Sequence, residues 1–251
     1  DQVADAAADV APGDYSKYND IKQGQAAGNY QYDATGNLIS DASETITSIT
    51  WNVYGKIASL TKSGQTVHYV YDASGNRIMK QTSTDTTAYV RDATGNILSV
   101  YTRPASGTLA QTEMHLYGSS RLGMATQHIA SDTTVALAAG FTSGTKSILT
   151  RGEKFFELSN HLGNVLATID DRRIQIDSNS DGVIDHYLAY VATASDYYPG
   201  GMQMSGRTYL AGNGYRYGFN GQEISTEIST SGNLYTAEFW EYDARSVRRW
   251  N

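Results

Sequence analysis

Three near-identical hexamers sit on one ladder in this chain: "YDATGN" at residues 32–37, "YDASGN" at 71–76 and "RDATGN" at 91–96, with a worn copy, "WNVYGK", at 51–56. Measured at their second residue, Asp33, Asn52, Asp72 and Asp92 lie 19, 20 and 20 residues apart. A fixed period of this length is the mark of a stacked-repeat architecture, in which each unit is one supersecondary element that cannot bury a core alone.

The physics of a unit is legible in "TVHYVYDASGNRIMKQT". Val67, Tyr69 and Tyr71 alternate onto one face of a strand. Asp72 then has the side chain for an Asx-turn, and Gly75 tolerates positive φ without steric cost. The chain returns as a second strand, so each unit reads as a β-hairpin with a glycine-containing loop. Hairpins gain independent stability only beside others. The expectation is an all-β fold, with these hairpins stacked side by side into one curved sheet and little helix. Tyr32, Asp33, Gly36, Tyr71, Asp72, Gly75, Asp92 and Gly95 read as structural turn residues, because a residue repeated down a ladder rarely has a unique catalytic task.

Composition narrows the function classes. The 251 residues carry a net charge of −7, which argues against a nucleic-acid surface or a polybasic membrane anchor. There are 19 Tyr against 5 Phe, suited to strands with one buried face and one wet edge. Cysteine is absent, so there is no disulfide, thiolate metal site or cysteine nucleophile. No apolar run approaches the roughly 20 residues of a membrane helix. The first twenty residues have neither a basic n-region nor an apolar h-region, and read as a processed end or the interior of a longer protein.

The hexamers resemble those of the YD-repeat, or Rhs-repeat, family. Further blocks extend the resemblance from about Asn29 onward: "HLYGSSRLGM" (115–124), "FELSNHLGNVLATIDD" (156–171), "DYYPGGMQMSGR" (196–207), "YRYGFNGQE" (215–223) and "EFWEYDARSVRRWN" (238–251) are similar to the Rhs repeat-associated core in its Bacteroidetes-type form. The resemblance implies a β-sheet ribbon that spirals into a hollow shell, enclosing a C-terminal toxin in polymorphic toxins and insecticidal toxin complexes, or serving adhesion in teneurin-like proteins. Gly200 and Ser205 stand where the family usually has Phe and Pro, and Ser246 and Val247 where a glycine is usual. The family normally runs on from this point into an Asp-Pro segment with self-cleavage aspartates, which these residues do not include, so no catalytic residue is carried over. The resemblance implies three segments: an N-terminal linker or irregular stretch over 1–28, YD repeats over 29–105 and the associated core over 106–251.

No nucleophile–base–acid set stands out. The chain has neither a "GxSxG" elbow nor a P-loop: "GTKS" at 144–147 lacks the earlier glycine, and "GNGYRYG" at 212–218 has the wrong spacing for a dinucleotide loop. Of His68, His115, His128, His161 and His186, His161 is the best isolated candidate. Against it stands the reading of a half-buried histidine bonding a neighbouring turn. Arg245, Arg248 and Arg249 read either as an anion or partner site or as a paired, solvated face.

"DSNSDGVID" at 177–185 carries a metal-type pattern. Asp177, Asn179 and Asp181 take alternating positions, and Gly182 falls where the loop must bend. Val183 offers a carbonyl and Asp185 a further carboxylate, the oxygen set that Ca²⁺ prefers. The flanks "RRIQI" and "HYLAY" read as strands and position 12 is Leu188, so the loop is not an EF-hand. Asp170, Asp171 and Asp196 are candidates to complete the shell of a structural Ca²⁺, with Ile184 anchoring the loop to the sheet. The alternative is an acidic turn splayed into water.

These readings converge on a non-catalytic shell segment of a secreted Rhs/YD-repeat polymorphic toxin or effector carrier. Its partners would be flanking repeats of the same parent protein or a partner chain through the sheet edges, with a C-terminal toxin cargo or immunity and delivery proteins beyond. The alternative is a cell-surface adhesion or glycan-binding module.

Overall fold

The computed structural model of the chain describes residues 25–130, 150–211, 215–229, 232–237 and 240–251. Most of the expected N-terminal irregular segment, residues 1–24, therefore lies outside the described residues, as do "GTKS", the start of "GNGYRYG" and the side chain of His128.

The fold is all-β. Fourteen strands follow one another in sequence order across one antiparallel sheet: β1 (Tyr30–Tyr32), β2 (Leu38–Asp41), β3 (Ile46–Trp51), β4 (Ile57–Lys62), β5 (Gln65–Tyr71), β6 (Arg77–Gln81), β7 (Asp85–Arg91), β8 (Ile97–Pro104), β9 (Ala110–Tyr117), β10 (Arg121–Ala130), β11 (Lys154–Ser159), β12 (Val165–Ile176), β13 (His186–Tyr197) and β14 (Gln203–Leu210). The four repeat units are the hairpins β1–β2, β3–β4, β5–β6 and β7–β8, side by side as the 19–20-residue ladder requires. A second, four-stranded sheet follows: β15 (Glu223–Ile224), β16 (Leu234–Thr236), β17 (Glu241–Asp243) and β18 (Arg248–Arg249). The only helical turn among the described residues is a 3-10 turn at Phe219–Gly221.

The chain divides into two compact units. The described residues of the first are 25–83, 195–208, 216–229, 232–237 and 240–251; those of the second are 84–130, 150–194, 209–211 and 215.

In the first unit the repeat hairpins bury one face beneath the small sheet. Leu38, Ile46, Ile49, Ile57, Leu60, Val67 and Tyr69 form one cluster with Ile228, Leu234 and Trp250. A single sheet has nothing against which to bury such a face, so a second layer is what makes it a core. Leu60 is fully buried, and burying one such side chain contributes about 1.5–3 kcal/mol. In β5 the buried residues alternate strictly, Val67 then Tyr69, whereas in β3 and β4 they fall three apart, at Ile46/Ile49 and Ile57/Leu60. Register shifts at Ile46/Ser48 and Thr50/Trp51 account for the difference, since a bulge adds one residue and breaks the period of two.

The layers are also joined by charge. Arg77 of β6 reaches Glu241 of β17 at 2.5 Å, with both side chains about 5 % exposed or less. Ser225 and Thr236 hydroxyls donate to the same carboxylate at 3.1 and 3.2 Å, and the guanidinium stacks 4.3 Å from the Tyr69 ring. Burial pushes the Glu241 carboxyl up, and the Arg77 guanidinium opposes that shift. Around this pair Lys80 bonds Glu227 at 3.2 Å, and Arg216 bonds Glu223 at 3.0 Å.

In the second unit Tyr89, Val100, Met124, Phe155 and Val165 are buried. Leu122, Phe156, Leu158 and Leu166 are 37–52 % exposed.

Removing one member of a buried ion pair strands the other without a partner. Arg77→Met is expected to lower stability by about 3–5 kcal/mol in urea unfolding. The double variant Arg77→Met/Glu241→Leu should recover more than half of that loss; equal losses in single and double variants would show that the pair is not what joins the layers.

Candidate functional site

The repeat turns share one geometry. The N–H of Asp33, Asn52, Asp72 and Asp92 donates to the carbonyl four residues on, at 2.8–3.0 Å, and the N–H of Gly36, Gly55, Gly75 and Gly95 donates back to the first turn residue at 3.1 Å. Each glycine lies at φ between +70° and +94°, in the left-handed region that disfavours a Cβ. The first side chain closes the loop. Asp72 Oδ1 accepts the N–H of Ser74 and of Asn76, both at 2.9 Å, and Asp33, Asn52 and Asp92 accept the same pair of backbone donors. Register shifts at Gln31/Tyr32, Thr50/Trp51, Val70/Tyr71 and Val90/Arg91 place a bulge at each turn.

Three further turns among the described residues repeat this backbone pattern without the hexamer, at 160–164, 198–202 and 218–222, the last with Gly221 at φ +65°. Asn160–Asn164, "NHLGN", has the Asn160 cap on the N–H of Leu162 and Asn164, and Gly163 at φ +81°. Tyr198–Met202 has the two backbone bonds, at 2.8 Å each, and Gly201 at φ +90°, with no Asx side chain. The first was visible in the sequence as Asx, then glycine at the fourth place and Asn at the fifth. The aromatic that precedes Asp in the hexamer is absent there, with Ser159 in its place.

The residue before the turn has a second task, joining one hairpin to the previous one. Trp51 Nε1–H donates to the Leu38 carbonyl at 2.9 Å, the Tyr71 hydroxyl to the Ile57 carbonyl at 3.0 Å, and the Tyr117 hydroxyl to the Ile97 carbonyl at 3.0 Å. Each acceptor is the fifth residue after the first residue of the preceding turn. Backbone pairing between these hairpins stops short of the turns: β2 and β3 share Asp41↔Ile46, β4–β5 pairing ends at Ser59↔His68, and β8–β9 pairing ends at Ser99↔Met114. The aromatic side chain bridges the gap that remains. Arg91, which replaces Tyr in "RDATGN", bonds its own turn instead, at the Gly95 carbonyl.

Asp33 is held from its ordinary 3.8 down to about 2 by the hydrogen bonds of Thr35 and Asn37, and Asp92 likewise by those of Asn96 and Thr94.

The acidic loop Asp177–Asp185 joins β12 and β13, so both flanks are strands. Asp177 accepts the N–H of Asp181 at 3.2 Å and of Gly182 at 2.8 Å; Asn179 accepts the N–H of Asp181, Asp181 that of Val183, and Asp185 that of Ser178. Gly182 lies at φ +85°. Among the described residues no three His, Cys, Asp or Glu side chains are placed together to hold a metal ion. The expected outside ligands are engaged elsewhere. Asp170 binds Arg172, Asp171 accepts the N–H of Gly152, and Asp196 binds Arg207. Asp170 and Asp171 also sit six or seven residues back along β12, a strand path of about 20 Å. The anchoring expected of Ile184 is corrected as well: it is 37 % exposed and Val183 64 %, because among the described residues β11 pairs only with residues 165–170 of β12 and does not reach the loop end of the hairpin.

His161 is exposed at the second place of the Asn160 turn, not half-buried, since the turn is capped by Asn160 and needs nothing from the imidazole. Arg245 is ion-paired within the chain, with Glu44 at 2.6 Å and Asp243 at 2.8 Å, while the exposed Arg248 and Arg249 lie 5.8 Å and 3.6 Å from the Tyr32 and Trp240 rings. Two of the noted departures from the family pattern meet in space. A Cβ on Gly200 would lie 2.8 Å from Val247 Cγ2, while Val247 occupies φ +53°, where a glycine would be unstrained. The small residue at 200 leaves room for the branched one at 247.

Because their carboxyl groups titrate lower when folded, Asp33 and Asp92 stabilise the fold fully above 3.8 and lose that contribution as pH falls toward about 2. The double variant Asp33→Asn/Asp92→Asn keeps the turn, as Asn52 does, and should flatten the decline of the unfolding midpoint between these two pH values. An unchanged acid limb would contradict the role given to the two carboxylates.

No protein-family model matches the chain, and no curated protein does. Solved structures that resemble it include the crystal structure of TcdB2-TccC3-TEV, at 13 % identity and TM-score 0.47 over 88 % of this chain, and that of TcdB2-TccC3 without its hypervariable C-terminal region, at 14 % identity and TM-score 0.44 over 88 %. The chain spans 9 % and 12 % of the length of those chains.

Proposed function

We propose that the chain is a shell segment of a secreted Rhs/YD-repeat toxin or effector carrier, a scaffold that encloses or presents a C-terminal cargo and performs no catalysis. The observation that carries this reading is how the repeated polar groups are used. The turn carboxylates are bonded to their own backbone, and the pre-turn aromatics to the neighbouring hairpin. Groups consumed in this way hold strands together and have little left for a substrate. The small sheet over the repeats suits a wall element that is stiff by itself.

One observation favours a second reading, a surface adhesion or glycan-binding module. Where the other repeat turns carry Ala-Thr or Ala-Ser, the Asn52 turn presents Val53 and Tyr54, 93 % and 83 % exposed. An exposed ring of this kind suits stacking against a sugar face. Limited proteolysis of the whole secreted polypeptide that bears this segment separates the two. A carrier keeps its C-terminal region intact under native conditions and loses it once the shell is unfolded. Immediate digestion of that region, together with glycan-array binding abolished by Tyr54→Ala, would replace the carrier reading with adhesion.

We also propose that the 177–185 loop takes one structural Ca²⁺, held by Asp177, Asn179, Asp181, the Val183 carbonyl and Asp185, with water completing the shell. The donor set supports this: every candidate ligand is a hard oxygen, and a carboxylate oxygen that accepts one N–H retains a lone pair for a cation. The side chains would have to be drawn together, which points to weak binding, on the order of 10⁻⁴–10⁻³ M as in extracellular sites. Calorimetric titration of chelator-treated protein should show heat at millimolar Ca²⁺ that Asp181→Ala abolishes. The same absence of heat in both proteins would leave the loop as an acidic turn.

A further inference from the structure

The second repeat turn departs from the others in how its side chains are used. In the first, third and fourth turns the closing Asn37, Asn76 and Asn96 fold back and donate Nδ2–H to the Oδ2 of Asp33, Asp72 and Asp92, at 2.9–3.1 Å. In the second turn Asn52 replaces the Asp and Lys56 the Asn. The Lys56 side chain runs to the third turn instead. A Cβ on Gly75 would lie 3.3 Å from its Cε, and its ammonium is 6.0 Å from the centroid of the Tyr71 ring. Between the two turns lies a cleft of about 150 Å³, with Asn52, Tyr54 and Lys56 on one side and Tyr71, Asp72 and Ser74 on the other. Two polar groups of these lining residues are not spent on the turns. Thr35 and Thr94 donate their hydroxyls to Asp33 and Asp92 at 2.8 Å, but among the described residues neither Ser74 Oγ nor Asn52 Nδ2 makes a hydrogen bond.

We propose that this cleft binds one pyranose ring that carries a carboxylate, a uronate or sialate unit of a glycan. The space is that of about five water molecules, the size of a single sugar ring. Tyr54, 83 % exposed, offers a ring for the C–H face of the sugar, and Tyr71, whose hydroxyl is committed to the Ile57 carbonyl, offers only its ring. Lys56 gives the carboxylate a charge-assisted hydrogen bond. Asn52 Nδ2 donates to the ring hydroxyls, and the Ser74 hydroxyl both donates and accepts. One ammonium in a chain of net charge −7 suits a single anionic group and disfavours a sulfated polymer, whose many charges the rest of the surface repels. The inference rests on the glycan-binding reading and deepens it, by naming the class of sugar and the polar groups that select it.

The test is a titration of the whole chain, followed through its amide resonances by NMR. Glucuronate and N-acetylneuraminate serve as the two sources of an acidic ring. The tighter of them should bind with a Kd on the order of 1 mM, the strength expected of about a dozen ligand atoms. It should shift the amides of residues 52–56 and 71–75 and leave those of the fourth turn, 92–95, in place. Glucose, which lacks the carboxylate, and benzoate, which lacks the hydroxyls, should each bind at least tenfold more weakly. Lys56→Gln should erase the preference for the acidic sugar over glucose. Tyr54→Ala, at an exposed position that leaves the fold intact, should weaken the acidic sugar at least fivefold, whatever Lys56→Gln does to stability. Glucose bound as tightly as the acidic sugars through Tyr54 would overturn this inference and keep the glycan reading. Benzoate bound as tightly would overturn the sugar class. Shifts confined to other residues, or none at tens of millimolar ligand, would overturn the cleft as the site. Cargo protection in the proteolysis experiment depends on neither Tyr54 nor Lys56, so the carrier reading stands or falls separately.

Discussion

The bond from an Asp or Asn side chain to the two backbone N–H groups of its own turn is the constraint on which the rest of this structure depends. It fixes the loop at five residues, puts a glycine in the left-handed region and places a bulge beside the turn. The bulge tilts the strand ends so that neighbouring hairpins part near their turns. Where they part, a Trp or Tyr side chain reaches across to the carbonyl on the far side. Turn cap, bulge and aromatic bridge are therefore successive consequences of one local preference, and the ladder of 19 and 20 residues is the length of strand that separates one such turn from the next.

A ladder of hairpins leaves a sheet with two faces, and a core needs a second layer. In the first unit the residues after β14 supply it, laying Ile228, Leu234 and Trp250 on the repeat face and Glu241 on Arg77. The apolar contacts provide most of the stabilisation. The buried charges add register, because a carboxylate removed from water tolerates only the arrangement in which its guanidinium and hydroxyl partners arrive together. Close packing extends to the Tyr198–Met202 turn: Tyr235 and Tyr242 hydroxyls donate to the carbonyls of Gly201 and Gly200, and Phe219 lies where a Cβ on Gly201 would fall.

The loop end of β12–β13 is built differently. Arg173–Ile176 pairs with His186–Ala189 beyond the reach of β11, and Ile174, Tyr187 and Leu188 are 42–53 % exposed. A two-stranded ribbon is only marginally stable by itself. The acidic loop at its tip thus sits on a two-stranded ribbon whose larger apolar side chains are half exposed.

The sequence by itself determined the hairpin, its period and its turn. The 19–20-residue spacing, Val67 and Tyr69 on one face, and Asp72 with Gly75 at the loop all follow from interactions within a few residues, and such interactions are written in local pattern. The same locality explains the limits of that reading. Alternation misplaced nothing in β5 but does not describe β3 and β4, because bulges there are set by the neighbouring turn. Asp170 and Asp171 lie only six or seven residues before the 177–185 loop in sequence, yet extended strand carries them far from it. Only the tertiary structure decided that Arg77 meets Glu241, 164 residues away, that Val247 fills the space left open at Gly200, and that Trp51, Tyr71 and Tyr117 each bond the previous hairpin. Those partners are chosen by which layer lands on which face, and the free energy of that choice is shared among many weak contacts that no short stretch of sequence displays.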